Sequence, residues 1–162
     1  MVLEYLQGLI TQGSYIAIFL ASLISSASVF LPIFPSYIPI IIGIGAGLNP
    51  VIVGLLGGIG SALGESVGYF VGLGGSASIE RFKRRTPKFL KRFEGFYSKI
   101  GFWVILIFAF IPSPFDIIGV MSGASKYDLK KFLLALFIGR ISRAFLIAYA
   151  SYLVIPWALR II

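Results

Sequence analysis

The 162-residue chain contains no cysteine and no histidine, and only 12% of its residues are charged. Without cysteine there is no disulfide or thiolate, and without histidine no imidazole is present to bind a metal or carry a proton. The low charged fraction excludes an ordinary soluble domain, in which about a quarter of residues are charged. Hydrophobic residues make up 58% of the chain. This composition predicts an all-α integral protein of the cell membrane, with one membrane domain over residues 1–162.

The basic residues are concentrated in one part of the chain. Lys and Arg outnumber Asp and Glu by 14 to 6, which gives a net charge of +8, and most of them lie between residues 81 and 131. In an apolar chain this excess indicates topology and lipid contact, and no nucleic acid is expected as a partner. Residues 75–99 are predicted to form a connector with a basic amphipathic helix, whose Arg81–Lys99 segment contacts acidic lipid headgroups. A connector without lipid preference is the alternative.

Two similar proline and glycine patterns occur in opposite halves of the chain. In each, a Pro-Ser break is followed after seven or eight residues by Gly-x-x-x-Gly, and then by a long apolar run with ionisable residues. Such interrupted segments at corresponding positions of two halves are typical of inverted-repeat transporters. We expect the prolines to form hairpins and the glycines mainly to allow close helix packing. The residues are Pro35, Ser36, Gly43 and Gly47 in the first half and Pro112, Ser113, Pro114, Gly119 and Gly123 in the second.

The first repeat is predicted at about residues 14–74. Ser14–Leu31 is uncharged and is either a full crossing or one arm of a hairpin. The prolines that follow predict irregular backbone over Leu31–Pro39, which at membrane depth must be buried or line a wet cavity. A short helix is expected over Ile40–Leu48. Val51–Gly74 is long enough for a full crossing.

The second repeat, at residues 100–158, has the same plan. Gly101–Ile111 and Phe115–Ala124 are predicted as the arms of a re-entrant hairpin, and Phe132–Trp157 as the last crossing. Basic clusters flank the hairpin on both sides. If the segment between them crossed the membrane fully, the two clusters would lie on opposite sides, against the positive-inside rule. The sequence therefore predicts two re-entrant hairpins, each followed by a long transmembrane helix.

Four ionisable residues fall within apolar segments: Glu65, Asp116, Arg140 and Arg143. At about 1.5 Å per residue, Glu65 lies about 13 Å from Gly74 along its crossing and Arg140 about 20 Å into the last one, near the middle of a roughly 30 Å hydrocarbon core. An unpaired charge at that depth costs on the order of 3 kcal/mol. Because the four charges sum to zero, they are expected to compensate one another.

Two interpretations of these charges stay open. In the first, they form internal ion pairs that hold the two repeats together. In the second, which we favour, Arg140 and Arg143 share a helix face and bind a phosphate or phosphonate in bidentate fashion, with Glu65 and Asp116 beside them. A desolvated carboxylate next to the anion would exchange a proton as the anion arrives or leaves, which makes protons a candidate second partner.

The order and spacing of these motifs resemble the DedA family, whose members carry the SNARE-associated or VTT domain. The resemblance extends from about Phe30 to Tyr152. It implies two facing re-entrant hairpins and lipid translocation, including recycling of polyprenyl-phosphate carriers in prokaryotes and lipid scrambling in eukaryotic relatives. The matching residues are Phe110–Asp116, Gly119, Gly123, Lys131, Phe132, Gly139 and Arg140 in the second half, and Pro35, Ser36, Gly43, Gly47, Gly64, Glu65, Gly68 and Tyr69 in the first.

The chain departs from that family at two positions. Many bacterial members have a carboxylate where this chain has Tyr37, and an arginine where it has Phe110 and Ile111. These departures leave Glu65 and Asp116 as the acidic candidates. They favour an archaeal-type or divergent member.

A lipid transporter of the flippase or scramblase type is the function that the sequence favours. A membrane enzyme is disfavoured, since a histidine-dependent lipid phosphatase is excluded and only Asp116 and Asp128 are available as aspartates. No catalytic residue, metal or cofactor is expected. A proton-coupled small-ion or drug antiporter is the closest alternative, because a glutamate and two arginines at the midplane would also suit cation-proton exchange, and a non-transporting scaffold is a third. A homo-oligomer is compatible with the sequence.

The hairpin prediction is testable with single cysteines, because the natural chain has none. Thr86→Cys and Ser125→Cys flank the second hairpin, so both thiols should react with a membrane-impermeant reagent from the same side. Labelling is measured in oriented vesicles before and after permeabilisation. Labelling from opposite sides would show a full crossing instead.

Overall fold

Six helices account for most of the chain that the computed structural model describes, namely residues 2–27, 35–82, 100–111 and 115–158, with side chains at 13–27, 35–75, 100–111 and 115–156. The apolar parts of α3 and α6 have mean hydropathies of 1.5 and 1.7 and are long enough to cross a membrane. Over these residues the fold is all-helical, as predicted. The helices are α1 (Val2–Ala27), α2 (Ile38–Gly45), α3 (Pro50–Phe82), α4 (Ile100–Phe110), α5 (Phe115–Ala124) and α6 (Leu129–Ala158).

The predicted helix bounds are correct for α5 and within a few residues for α4 and the start of α3. α2 begins at Ile38, so the prediction of irregular backbone through Pro39 is wrong at its end. Pro39 fits because a helix's first turn has no intrahelical acceptor for its N–H groups. α1 begins at Val2, earlier than the predicted start at residue 14.

α3 is longer than predicted and continues to Phe82. Its apolar crossing, Pro50–Gly75, agrees closely with the predicted one, but the boundary between the first repeat and the connector falls inside this helix. The remainder of the predicted amphipathic helix, at 83–99, lies outside the described residues. So do Pro112, Ser113 and Pro114 at the predicted hairpin break.

α2 and α5 end with the same backbone hydrogen-bond pattern, a Schellman motif. After α2, the N–H groups of Gly47 and Leu48 donate to the carbonyls of Ile44 and Gly43, at 2.9 and 3.1 Å. After α5, those of Lys126 and Tyr127 donate to the carbonyls of Gly123 and Ser122, at 3.0 and 2.9 Å. Both motifs need one residue with positive φ, and it is Gly47 (+79°) in the first and Lys126 (+55°) in the second.

The long helix after each motif begins with a side-chain cap. Asn49 Oδ1 accepts a hydrogen bond from the Val51 N–H at 2.9 Å, and Asp128 Oδ1 accepts one from the Lys131 N–H at 2.8 Å. Short acceptor side chains of this kind satisfy an N–H that has no partner within the helix. The chain therefore enters α3 and α6 through equivalent local structures.

Glycines let α3 contact its neighbours closely. A Cβ at Gly60 would lie 2.5 Å from the Phe19 carbonyl oxygen of α1, and one at Gly58 would lie 2.8 Å from Ile141 Cα of α6. α1 runs parallel to α3, because Gly64 contacts the following turn of α1, whereas α6 runs antiparallel. On α6, a Cβ at Gly139 would lie 2.8 Å from the Leu106 carbonyl oxygen of α4. Each long helix thus packs against the helix that begins its own half.

The four glycines of the repeated patterns have two different roles. Gly43 packs against Ile18, Gly119 against Gly68, and Gly123 against the Tyr69 carbonyl. Nothing lies within 4 Å of a Cβ at Gly47, and its positive φ shows that it serves the turn. The expectation of close packing therefore holds for three of these glycines and is wrong for Gly47.

The end of α1 and the starts of α2 and α5 meet α3 near the middle of its apolar crossing. Ala27, the last residue of α1, lies against Gly64, while Ile40 of α2 lies against Gly57 and Gly43 contacts Val53. α2 therefore leads from the middle of α3 back toward its start. α5 begins beside Gly68 and leads toward the other end, where Gly123 contacts Leu73. Two clusters of buried apolar side chains, one on each side of this level, form the core.

Alanine at the contact glycines tests this packing. Gly60→Ala and Gly139→Ala should lower the thermal midpoint of unfolding, because each added Cβ would lie within 2.6 Å of the adjacent helix. Gly74→Ala is the matched control in the same long helix as Gly60, since nothing lies within 4 Å of its Cβ. It should gain up to about 1 kcal/mol from helix propensity. The midpoints of unfolding are measured in detergent. An equal shift of the midpoint in all three variants would contradict this packing.

Candidate functional site: a cleft with two arginines

A buried salt bridge joins the two long helices. Arg140 Nε of α6 donates to Glu65 Oε2 of α3 at 2.5 Å, and Arg140 Nη2 contacts Glu65 Oε1. The side chains are only 4% and 9% exposed. The contact is bidentate, the geometry in which a guanidinium and a carboxylate interact most strongly. It neutralises two charges that neither helix could carry cheaply alone.

The backbone brings these two residues together because small residues line the α3–α6 contact. A Cβ at Gly54 would lie 3.3 Å from Phe145 Cα, and Gly58 is similarly close to Ile141. Phe115 of α5 covers the pair, with its ring centroid 5.5 Å from Arg140 Cζ. That distance is within the range of a cation–π interaction. Three helices thus fix the position of the Arg140 guanidinium.

Arg140 and Arg143 both line an open cleft between the start of α2 and the long helices. Arg143 is half-buried, and no hydrogen bond or ion pair joins it to another residue that the structure describes. Its charge interacts at longer range with those of Glu65 and Arg140. The other residues lining the cleft are Ser36, Tyr37, Ile40, Ser61, Ala144 and Ile147.

The two acidic candidates lie outside the lining of this cleft. Glu65 is behind Arg140, where the salt bridge holds it. Asp116, in the first turn of α5, is half-buried and close enough to Glu65 and Arg140 to interact with their charges. It forms no ion pair with another described residue. The four predicted charges are therefore near one another, but only the arginines face the cleft.

Two further predicted residues, Pro35 and Ser36, lie just before α2. Pro35 precedes α2 and its carbonyl accepts a hydrogen bond from the Ile38 N–H at 3.0 Å, while Ser36 lines the cleft. Ser61 is a cleft residue that the sequence did not indicate. Its hydroxyl donates to the Gly58 carbonyl at 3.0 Å, a bond within its own helix that leaves no special mark in the sequence. Among the described residues there is no cluster of acidic side chains that would hold a metal.

These features define the class of the protein: a helical membrane protein in which long apolar helices enclose paired charges. The VTT domain family matches residues 31–153, and the chain belongs to this family, which includes the DedA proteins. Its members are generally membrane transport proteins. An uncharacterized protein of Methanocaldococcus jannaschii is 28% identical over 142 residues, covering 86% of this chain and 85% of its own. No solved structure gives a significant match.

Removing one partner of the salt bridge should destabilise the fold. Glu65→Gln leaves the Arg140 charge buried without its carboxylate, a change that typically costs about 3–5 kcal/mol. Asp116→Asn is the matched control, because Asp116 has no ion pair among the described residues, and it should cost much less. Unfolding midpoints in detergent compare the two variants. Equal midpoints for Glu65→Gln and the natural chain would show that the bridge contributes little to stability.

Proposed function

We propose that this protein moves a phosphate-bearing lipid across the membrane, as a flippase or scramblase. The headgroup of the lipid is proposed to bind in the cleft at Arg143. Polyprenyl-phosphate carriers and phospholipids are the proposed substrates. The observation that carries the proposal is the half-buried guanidinium of Arg143, which faces an open cleft without an ion-pair partner among the described residues. A guanidinium binds a phosphate oxygen pair in the same planar geometry as a carboxylate.

Arg140 would contribute from the same wall of the cleft, one turn of α6 away. Glu65 occupies its Nε–H and one N–H on Nη2, which leaves three of its five donors. The hydroxyls of Ser36 and Tyr37 are further donors at the start of α2, and Ser61 lies across from them. Because Glu65 already compensates Arg140, the charge of Arg143 remains to be matched by an anion. A phosphate monoanion supplies it.

We further propose that the two halves form an inverted repeat of re-entrant hairpins. The equal Schellman motifs and the capping residues support this, since Gly47 and Lys126 differ by 79 positions, as do Asn49 and Asp128. The same offset relates Gly60 to Gly139, each of which contacts the helix that begins its half. α1 ends and α2 begins beside the middle of α3. This position supports a hairpin that does not cross the membrane.

The offset of 79 positions between the two halves differs from the offset that the Gly-x-x-x-Gly patterns suggest. It relates Arg140 to Ser61 and Glu65 to Ala144, so the two buried charges are not at equivalent positions. The first repeat would then supply Glu65 and the second Arg140, and these two residues would come from different turns of the two long helices. The asymmetry means that the cleft on the α2 side contains the arginines, whereas the side near α5 has Asp116 and Phe115.

The predicted consequence is that Arg143 is essential for transport but not for folding. Arg143→Ala should slow translocation by about tenfold or more, because at least one charge-assisted hydrogen bond to the headgroup is lost. Arg143→Lys should restore activity only in part, since an ammonium lacks the planar fork. Translocation is measured in liposomes with a fluorescent phospholipid and with a polyprenyl phosphate.

Lys131→Ala is the matched control, since it removes an exposed positive charge away from the cleft and should transport normally. A pH-sensitive dye in the same liposomes tests the antiporter alternative. Ion-dependent proton flux that needs Arg143, together with unchanged lipid translocation in Arg143→Ala, would replace the lipid proposal by the antiporter. If Arg143→Ala translocated lipid as fast as the natural chain and no ion-dependent proton flux occurred, both the lipid proposal and the antiporter alternative would be contradicted.

A further inference from the structure

α5 is packed more tightly against α3 at its end than at its start. Near its end, a Cβ on Gly123 would lie 2.8 Å from the backbone nitrogen of Leu73. Near its start, Gly119 faces Gly68, and a Cβ added at either glycine would have no neighbour among the described residues closer than 3.6 Å. The end of α5 is therefore locked by backbone contacts, whereas its start is in ordinary van der Waals contact.

Two further contacts anchor the end of α5. The Tyr69 hydroxyl of α3 donates a hydrogen bond to the carbonyl of Tyr127 at 2.5 Å, in the turn that follows α5. One turn before the end of α5, the Val120 carbonyl lies directly against Gly72. A motion of α5 relative to α3 would therefore pivot at this end and displace the first residues of the helix most.

Phe115, the first residue of α5, is the side chain that such a motion would displace. It is only 2% exposed, and its ring centroid lies 5.5 Å from Arg140 Cζ. Glu65 of α3 holds the same guanidinium through a bidentate salt bridge, which is stronger than a cation–π contact. The ring can therefore leave Arg140 while the salt bridge between the two long helices stays intact.

Phe115 and the arginine cleft lie on opposite sides of Arg140. The cleft is bounded by the start of α2, which leads toward the start of α3, whereas α5 leads toward the other end of α3. The offset of 79 positions also relates Phe115 to Ser36, which lines the cleft. A headgroup that moves from the cleft into the other half of the membrane thus meets the Phe115 ring.

We propose that Phe115 is the gate of the site on the α5 side. When the start of α5 swings away from α3, the ring leaves Arg140 and a phosphate headgroup passes into the other half of the membrane. The gate rests on the proposed function, since a path is needed only if a headgroup crosses. Asp116, next to Phe115 in the first turn of α5, is half-buried. Its carboxylate would repel the phosphate and so favour release on that side.

Cysteine reactivity tests the motion of α5 without any lipid transport. Gly119→Cys and Ser122→Cys are at buried positions of the same helix, the first nearer its start and the second nearer its anchored end. If the start swings, a small hydrophilic methanethiosulfonate should react at least about tenfold faster with Gly119→Cys than with Ser122→Cys in reconstituted full-length protein. Phe115→Leu, which removes the cation–π contact, should speed the first reaction further. Equal rates for the two cysteines, or no effect of Phe115→Leu, would overturn the gate.

A crosslink tests whether transport needs this motion. A Cβ added at Gly68 or at Gly119 would lie within 3.7 Å of the Cα of the other glycine, so paired cysteines are close enough for a disulfide. Oxidised Gly68→Cys/Gly119→Cys should translocate polyprenyl phosphate in liposomes at least about tenfold more slowly than after reduction. Added polyprenyl phosphate should still raise its unfolding midpoint in detergent, because the arginine cleft is unchanged. Both single variants under the same oxidant are the controls.

The outcomes separate the gate from the proposed function. Unchanged translocation in the crosslinked protein would overturn the gate. Loss of the midpoint shift on crosslinking would contradict it too, because the gate would then not be separate from the arginine cleft. If the natural chain translocates no lipid in the same assay, the proposed function fails, whereas the reactivities of Gly119→Cys and Ser122→Cys still decide whether α5 opens.

Discussion

The salt bridge between Glu65 and Arg140 is the interaction on which the rest of this structure depends. Each residue lies in a long apolar helix, where a lone charge is expensive, so the two helices are stable together only when the charges meet. Meeting requires the close approach of α3 and α6 that Gly54 and Gly58 permit. The bridge links the two halves of the chain, and Phe115 brings a third helix onto it.

This arrangement gives the two arginines different roles, although they are three residues apart on one helix. Arg140 is fixed by a carboxylate and an aromatic ring, so it defines the position of the cleft. Arg143 has neither kind of partner among the described residues and is half-buried. The sequence interpretations of internal ion pairing and of anion binding therefore need not exclude each other. The structure pairs Arg140 with Glu65, whereas Arg143, unpaired within the part of the chain that the structure describes, is the charge that the proposed function uses.

Much of the architecture was predictable from the sequence, because apolar length and prolines leave strong signals. The bounds of α5 and the apolar crossing in α3 followed from them. The equivalence of the turns at Gly47 and Lys126 was not predictable, because both residues have positive φ but share no side-chain property. The contacts of Arg140 with Glu65 and of Arg143 with the cleft were not predictable either. The spacing of the two arginines places them on one helix face but does not identify their partners.

The two walls of the cleft are held by different contacts. On the side of α6, the salt bridge and close glycine contacts fix Arg140 to α3. On the other side, α2 has only eight residues, and several of its apolar side chains, including Ile41 and Ile42, are exposed on the protein surface. A shift of α2 would therefore change access to Arg143 without separating Glu65 from Arg140. The charge that holds the fold and the charge that is proposed to bind substrate can be uncoupled in this way, because they belong to different arginines.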